Sequence, residues 1–160
     1  MLELMAPLSG QARIPHVSIP TTLVIFGATG ALAQRKLYPT LLKLTREGAL
    51  PTDFRIVGIS QQSMSDDVFA GVVEQALAEA GIGANVEESR PLIKSLTHQA
   101  LDLRSNGWAK KLGESLREAP GRGRHVIFYL ATPPSLFEHI ITGLGESGLS
   151  VSQTDGSPAI

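Results

Sequence analysis

The sequence predicts an α/β fold, a doubly wound parallel sheet with helices on both faces, on the strength of three observations. Short apolar runs rich in β-branched residues recur, as TTLVIFG (21–27), FRIVGIS (54–60) and HVIFYLAT (125–132). Strands buried on both faces read as such unbroken runs. Segments with helical spacing of apolar residues lie between them. Strand then helix repeats four times, and right-handed crossovers turn that order into a parallel sheet.

Each element has its own signals. Residues 1–20, MLELMAPLSGQARIPHVSIP, hold three prolines and few periodic apolar residues, and read as a flexible lead-in. They lack the charged-then-apolar pattern of a signal peptide. One domain is expected over 21–160. After the first strand, Leu32, Leu37, Leu41, Leu42 and Leu44 recur near helical spacing from Gly30 to Arg46. Gly48 offers a C-cap, with Pro51 beyond it. The second strand is FRIVGIS. A second helix follows in SMSDDVFAGVVEQALAEAG, where Ser63 and Asp66 have capping-box spacing and Gly81 closes the far end. Asp66 and Asp67 there suit the positive end of the helix dipole better than a metal. Residues 82–93 are less regular. LTHQALDL (96–103) holds a third strand, and WAKKLGESLREA a third helix that opens on Trp108, read as a packing residue. HVIFYLAT ends on Pro133-Pro134, and LFEHIITGL begins a fourth helix. The tail SVSQTDGSPAI has no periodicity.

Composition narrows the functions. Hydrophobic residues make up 42% and charged residues 18%, as in a folded globular chain. The net charge of −1 gives no broad nucleic-acid surface. Gly121-Arg122-Gly123-Arg124 lacks interleaved aromatics and reads as an exposed turn feeding the fourth strand. There is no cysteine, which excludes disulfides and thiolate ligands and fits a cytoplasmic location. No His/Asp/Glu cluster has metal-ligand spacing, so no metal is expected. No apolar run approaches the ~20 residues that span a bilayer.

The chemistry concentrates in Gly27-Ala28-Thr29-Gly30-Ala31-Leu32-Ala33, a G-x-x-G-x-x-A string where the first strand gives way to a helix. Gly27 can adopt the backbone angles of a tight turn. Gly30 leaves its N–H open to a pyrophosphate, and Ala33 is small enough for close packing of helix on strand. The helix N-terminus adds unpaired N–H groups and partial positive charge. In this position the string favours a Rossmann-like dinucleotide site over a purely structural turn. No G-x-x-x-x-G-K-[ST] occurs, so this is not a P-loop. The second strand ends Ser60-Gln61-Gln62, with neither the acid that holds an NAD ribose nor the arginine that holds the 2′-phosphate of NADP. Coenzyme preference stays open between the two.

FGATGALAQRKLYPTLLKL, IVGIS before DDVF, and FYLATPPSLFEHI together resemble the N-terminal coenzyme domain of the glucose-6-phosphate dehydrogenase family, over roughly residues 21–149. The resemblance implies binding of NADP or NAD. Gly27, Ala28, Thr29, Gly30, Ala31, Leu32, Ala33 and Gln34 would line the pyrophosphate and adenosine ribose. Gln61 would stand at the ribose, Asp102 and Leu103 near the adenine, and Ala131 and Pro134 beside the nicotinamide. Lys36 matches the lysine that reaches the sugar phosphate. The complete enzyme would convert glucose 6-phosphate to 6-phosphogluconolactone, as in the pentose phosphate pathway.

The chain departs from the family pattern at Ala31, where an aspartate is usual, and at Gln61, where NADP-preferring members have arginine. The family's E-K-P-F-G and D-H-Y-L-G-K segments, and the β+α domain around them, have no counterpart here. Oxidation at C1 needs a general base. The family uses a histidine held by an aspartate, and His16, His98, His125 and His139 lie in no such motif. The expectation is a coenzyme-binding module, a fragment or an incomplete relative, with no catalytic residue and no full activity alone. A non-catalytic module acting by association, including self-association, is the rival reading. A short-chain-type enzyme is disfavoured, because no Y-x-x-x-K pair occurs.

Overall fold

The computed structural model describes residues 19–82, 85–118 and 125–149. The expected lead-in apart from residues 19 and 20, the Gly121–Arg124 turn and the tail from Ser150 lie outside them. Four parallel strands, β1 (Thr21–Phe26), β2 (Phe54–Ser60), β3 (Leu96–Ala100) and β4 (His125–Leu130), form one sheet in the order β3-β2-β1-β4. The chain steps outward from β1 to β3, then returns to the other side of β1. The crevice between β1 and β4 is therefore the point where the winding reverses.

The apolar runs of β1 and β2 become strands because each has two cores to fill. On β1, Leu23 and Ile25 enter one core while Val24 and Phe26 enter the other. The helices α1 (Tyr38–Arg46), α2 (Asp66–Glu79) and α3 (Val86–Lys94) pack on the first face. The helices α4 (Trp108–Glu118) and α5 (Phe137–Glu146) pack on the second. Gly58 admits the Phe69 ring to the first core, since a Cβ there would lie 2.3 Å from Phe69 Cζ. Trp108 is buried, edge-to-face on Phe26 with centroids 5.6 Å apart, as its reading as a packing residue requires.

Four local expectations are corrected. Residues 82–93 are not irregular throughout, because α3 covers 86–94 behind an Asn85 cap whose side chain accepts from Glu87 N at 3.1 Å. Pro91 inside it masks the helical pattern. Arg46 anchors this stretch to α1, pairing with Glu88 at 2.8 Å and donating to Ile82 O at 2.8 Å. The cap of α2 is Ser65, which accepts from Val68 N at 3.3 Å, and not the Ser63–Asp66 box. β3 ends at Ala100, earlier than Leu103, because Asp102 folds the chain into a turn: its carboxylate accepts from Arg104 N at 3.0 Å. Leu32 is 46% exposed and leaves the expected buried stripe. The first helical segment is not uniform. A π-helical turn, Ala33–Leu37, runs straight into α1.

That π turn has a packing cause. In an α-helix, positions five apart diverge by about 140°. With i→i+5 bonds, one of them from Tyr38 N–H to Ala33 O, they nearly align. Ala33 and Tyr38 thereby share one buried face, which Leu41 and Leu42 continue. No helix among the described residues is long and apolar enough to cross a membrane.

Candidate dinucleotide site

The expected site residues lie in segments that follow the C-terminal ends of the four strands. At the end of β1, Gly27 takes φ 79°. A Cβ there would lie 2.8 Å from Ala131 O and 3.2 Å from Thr132 Cγ2. The turn is thus pressed against the end of β4, where Ala131 N–H donates to Phe26 O at 2.8 Å. Gly27 N–H and Ala28 N–H both donate to Ile59 O, at 3.0 Å each, which ties the turn to β2. Gly30 N–H closes back on Gly27 O at 2.9 Å, so, contrary to the expectation from the glycine spacing, it is not open to a pyrophosphate.

The carbonyls of the turn are held inward. The buried Tyr38 hydroxyl donates to Ala28 O at 2.6 Å, and burial pushes its phenol above the ordinary tyrosine range. Gln34 Nε2 donates to Thr29 O at 2.6 Å. C=O and N–H point oppositely across a trans peptide, so fixing Ala28 O aims the Thr29 N–H away from the core. The first helical bond runs from Gln34 N–H to Gly30 O at 3.1 Å. The amides of Ala31, Leu32 and Ala33 therefore head the helix, where its positive end attracts anions. Ala28 and Ala33 are buried, while Ala31, Leu32, Arg35 and Lys36 are exposed. A neighbouring hydroxyl, Thr132 Oγ1, is buried with no partner among the described residues.

The other segments stand along the same sheet edge. Gln61 is exposed directly after β2, and Leu101 N–H donates to Ser60 O at 2.9 Å. Asp102 is exposed and shapes its turn, while Leu103 O accepts from the His139 ring. Ala131 is buried against Gly27, and Pro134 is exposed at the start of a 3-10 turn, Pro134–Leu136. Direct contact joins Gly27 to Ala131 and Gln34 to Thr29. Gln61, Asp102, Leu103 and Pro134 follow the C-terminal ends of their strands, and Lys36 is exposed on the π-helical turn.

Sequence reasoning missed the supporting residues. Tyr38 was visible only as part of a quoted motif. His98 lies on the edge strand β3, with its ring between β2 and the start of α2. Its Nε2 is 2.8 Å from Ser60 Oγ, its Nδ1 is 3.2 Å from Met64 O, and the backbone N–H of His98 donates to Asp66 Oδ1 at 2.7 Å. Burial lowers its pKa against the opposing help of Met64 O and Asp66. His125 opens β4, and His139 lies on α5 against the Trp108 ring. His16 is outside the described residues.

A doubly wound 3-2-1-4 sheet, with a glycine turn leading from its first strand into a helix, defines the dinucleotide-binding class of α/β domains. Residues 24–157 match the family described as glucose-6-phosphate dehydrogenase, NAD binding domain, and the chain belongs to that family. It is 32% identical over 154 residues to the glucose-6-phosphate 1-dehydrogenase of Chlamydia pneumoniae, covering 93% of this chain and 30% of that protein. It is 36% identical over 130 residues to that of Dickeya dadantii, covering 80% and 26%. Among solved structures, the Mycobacterium avium glucose-6-phosphate 1-dehydrogenase superposes with a TM-score of 0.72 at 27% identity, over 82% of this chain and 27% of that one. A glucose-6-phosphate dehydrogenase in complex with glucose-6-phosphate superposes at 0.70 and 25%, over 89% and 29%. The chain thus spans under a third of the length of these relatives.

Proposed function

We propose that this chain is the coenzyme-binding part of a glucose-6-phosphate dehydrogenase and holds NADP or NAD in the β1–β4 crevice. The observation that carries this reading is the Gly27–Ala131 corner. There the backbone of the turn meets the end of β4 at a distance no side chain would allow. The residues present fit a dinucleotide. Gly30 offers a bare backbone surface, and the Ala31–Ala33 amides suit a pyrophosphate. The unpartnered Thr132 hydroxyl suits a polar group deeper in the crevice, beside Ala131 and Pro134. Gln61 meets the adenosine ribose, and Asp102 and Leu103 flank the adenine. The coenzyme, when bound, supplies the hydride acceptor.

In the complete enzyme the reaction is oxidation of glucose 6-phosphate at C1 to the lactone, in the cytoplasm, and Lys36 reaches toward the sugar phosphate. The rings of His98 and His139 are engaged in hydrogen bonds within the fold. Calorimetric titration of NADP⁺ and NAD⁺ into the chain tests the reading. Saturable binding of either supports it, and no binding of either at millimolar coenzyme overturns it.

A second reading, association through the sheet, is favoured by the β4 side. On it Ile127 is 45% exposed, and Ile141 of α5 is 61% exposed. Sedimentation separates the two, since a monomer that binds coenzyme removes the need for association.

A further inference from the structure

We propose that Ser60 and His98 form a proton-sensitive positioning pair that sets the Gln61–Gln62 segment, and with it the discrimination between NADP and NAD at the adenosine ribose. The ribose consequence rests on the coenzyme reading above. The pair itself rests on hydrogen-bond geometry alone.

Ser60 closes β2, and its Oγ lies 3.1 Å from Gln62 O and 2.8 Å from His98 Nε2. The other ring nitrogen, Nδ1, lies 3.2 Å from Met64 O. Carbonyls only accept, so Nδ1 must carry a proton to bond Met64, and Ser60 must donate its one proton to bond Gln62. Ser60 Oγ can then only accept from Nε2. All three contacts are therefore hydrogen bonds together only in the imidazolium. In the neutral ring, the Nε2–H tautomer would set the Nδ1 lone pair against Met64 O, so the tautomer favoured here keeps Nδ1–H on Met64; Nε2 then becomes an acceptor, and the Ser60 proton turns toward it. Gln62 O is then released. One proton on His98 decides whether Ser60 holds the segment or the ring.

The surroundings pull on this choice from both sides: burial of the ring disfavours the imidazolium, while Met64 O and Asp66 favour it. Asp66, whose carboxylate accepts the His98 backbone N–H, is the charged group facing the ring, from the first turn of α2. The other facing groups are uncharged: the Phe69 ring at 5.4 Å, also from α2, Met64 O from the loop and Ser60 from β2. The segment under control lies beside the glycine turn, because Ile59 O accepts from Gly27 and Ala28. It is also where dinucleotide folds read the ribose, by an acid or an arginine that this chain lacks. A protonated His98 adds a positive charge behind the segment and fixes Gln62, and both changes favour a 2′-phosphate.

NMR on the intact chain tests this in two parts. Without coenzyme, the Gln62 and Ser63 amide shifts should titrate with the His98 ring midpoint. They should lose that inflection in His98→Asn, which keeps a donor toward Met64 O, and in Ser60→Ala. Amides that ignore the His98 midpoint overturn the pair, and so do amides that keep the inflection in Ser60→Ala. With coenzyme, the NADP⁺ over NAD⁺ affinity ratio should rise about fivefold from pH 8 to pH 5.5, relative to His98→Asn. Comparison with that variant cancels the titration of the 2′-phosphate itself. By linkage, NADP⁺ should raise the His98 midpoint by about 0.7 pH, and NAD⁺ should not. Equal ratios in both proteins overturn the ribose consequence. Titrating amides with no binding of either coenzyme overturn the coenzyme reading and leave the pair standing.

Discussion

Gly27→Ala tests the corner on which the site depends, and Gly48→Ala supplies its control. Both glycines sit in the left-handed region, with φ 79° and 63°. An L-residue there costs roughly 1–2 kcal/mol. At Gly48 nothing lies within 4 Å of an added Cβ, so that cost is the whole effect. At Gly27 the Cβ would lie 2.8 Å from Ala131 O, about 0.6 Å inside the 3.4 Å of an ordinary contact. Ala131 cannot retreat freely, because its N–H is bonded to Phe26 O at the C-terminal end of β1, the inner strand beside β4. Overpacking of this kind adds about 1–3 kcal/mol. Urea unfolding should show Gly27→Ala losing roughly 2–5 kcal/mol and Gly48→Ala roughly 1–2 kcal/mol. Coenzyme affinity should fall by about tenfold or more in Gly27→Ala, a further ~1.4 kcal/mol, and stay unchanged in Gly48→Ala. Equal unfolding costs would refute the clash at Ala131. Undiminished affinity in a folded Gly27→Ala protein would refute the corner as part of the binding site.

Other predictions follow from single contacts. Tyr38→Phe removes the donor to Ala28 O and leaves a buried carbonyl unpaired, for a loss of about 1–3 kcal/mol in chemical unfolding. Gly143→Ala puts a Cβ 2.5 Å from Trp108 Cζ2 and should destabilise by about 1–3 kcal/mol, with a change in the emission of the single tryptophan. Gly145→Ala, in the same helix with nothing within 4 Å, should instead stabilise by roughly 0.5–1 kcal/mol. The His98 pKa is lower folded than unfolded, so the unfolded chain binds more protons in that window. Stability should therefore fall as pH drops below about 6.5 toward the folded pKa, and His98→Gln should flatten that slope in pH-dependent thermal melts.

Most of the fold was legible because its strands are short, nearly unbroken apolar runs and the two central ones are covered on both faces. β1 could be read directly, since Leu23, Val24, Ile25 and Phe26 all end in a core. The glycine turn was legible for a related reason, because position and spacing constrain a backbone more than composition does. Where the reading failed, a tertiary contact had overridden a local pattern. Pro91 hid α3, which packs on α1 and the sheet through Leu92 and is held by Arg46. Ser63 offered the expected box, yet Ser65 caps α2, while Asp66 is drawn to the open backbone of β3. No window of the sequence contains that attraction, since Asp66 and His98 are 32 residues apart.

The π turn shows the same limit at the site itself. A regular α-helix from Gly30 would put Ala33 and Tyr38 on different faces. One of two requirements would then fail: the small residue under the helix start, or the phenol beneath Ala28 O. The extra residue in the turn satisfies both. It also places Leu32 outward at the head of the helix, which periodicity alone had assigned to the core. The misreading of Leu32 and the missed role of Tyr38 are thus one error with one cause. The backbone around the glycine turn is shaped by what must lie beneath it, and a helical wheel drawn at 3.6 residues per turn has no place for that constraint.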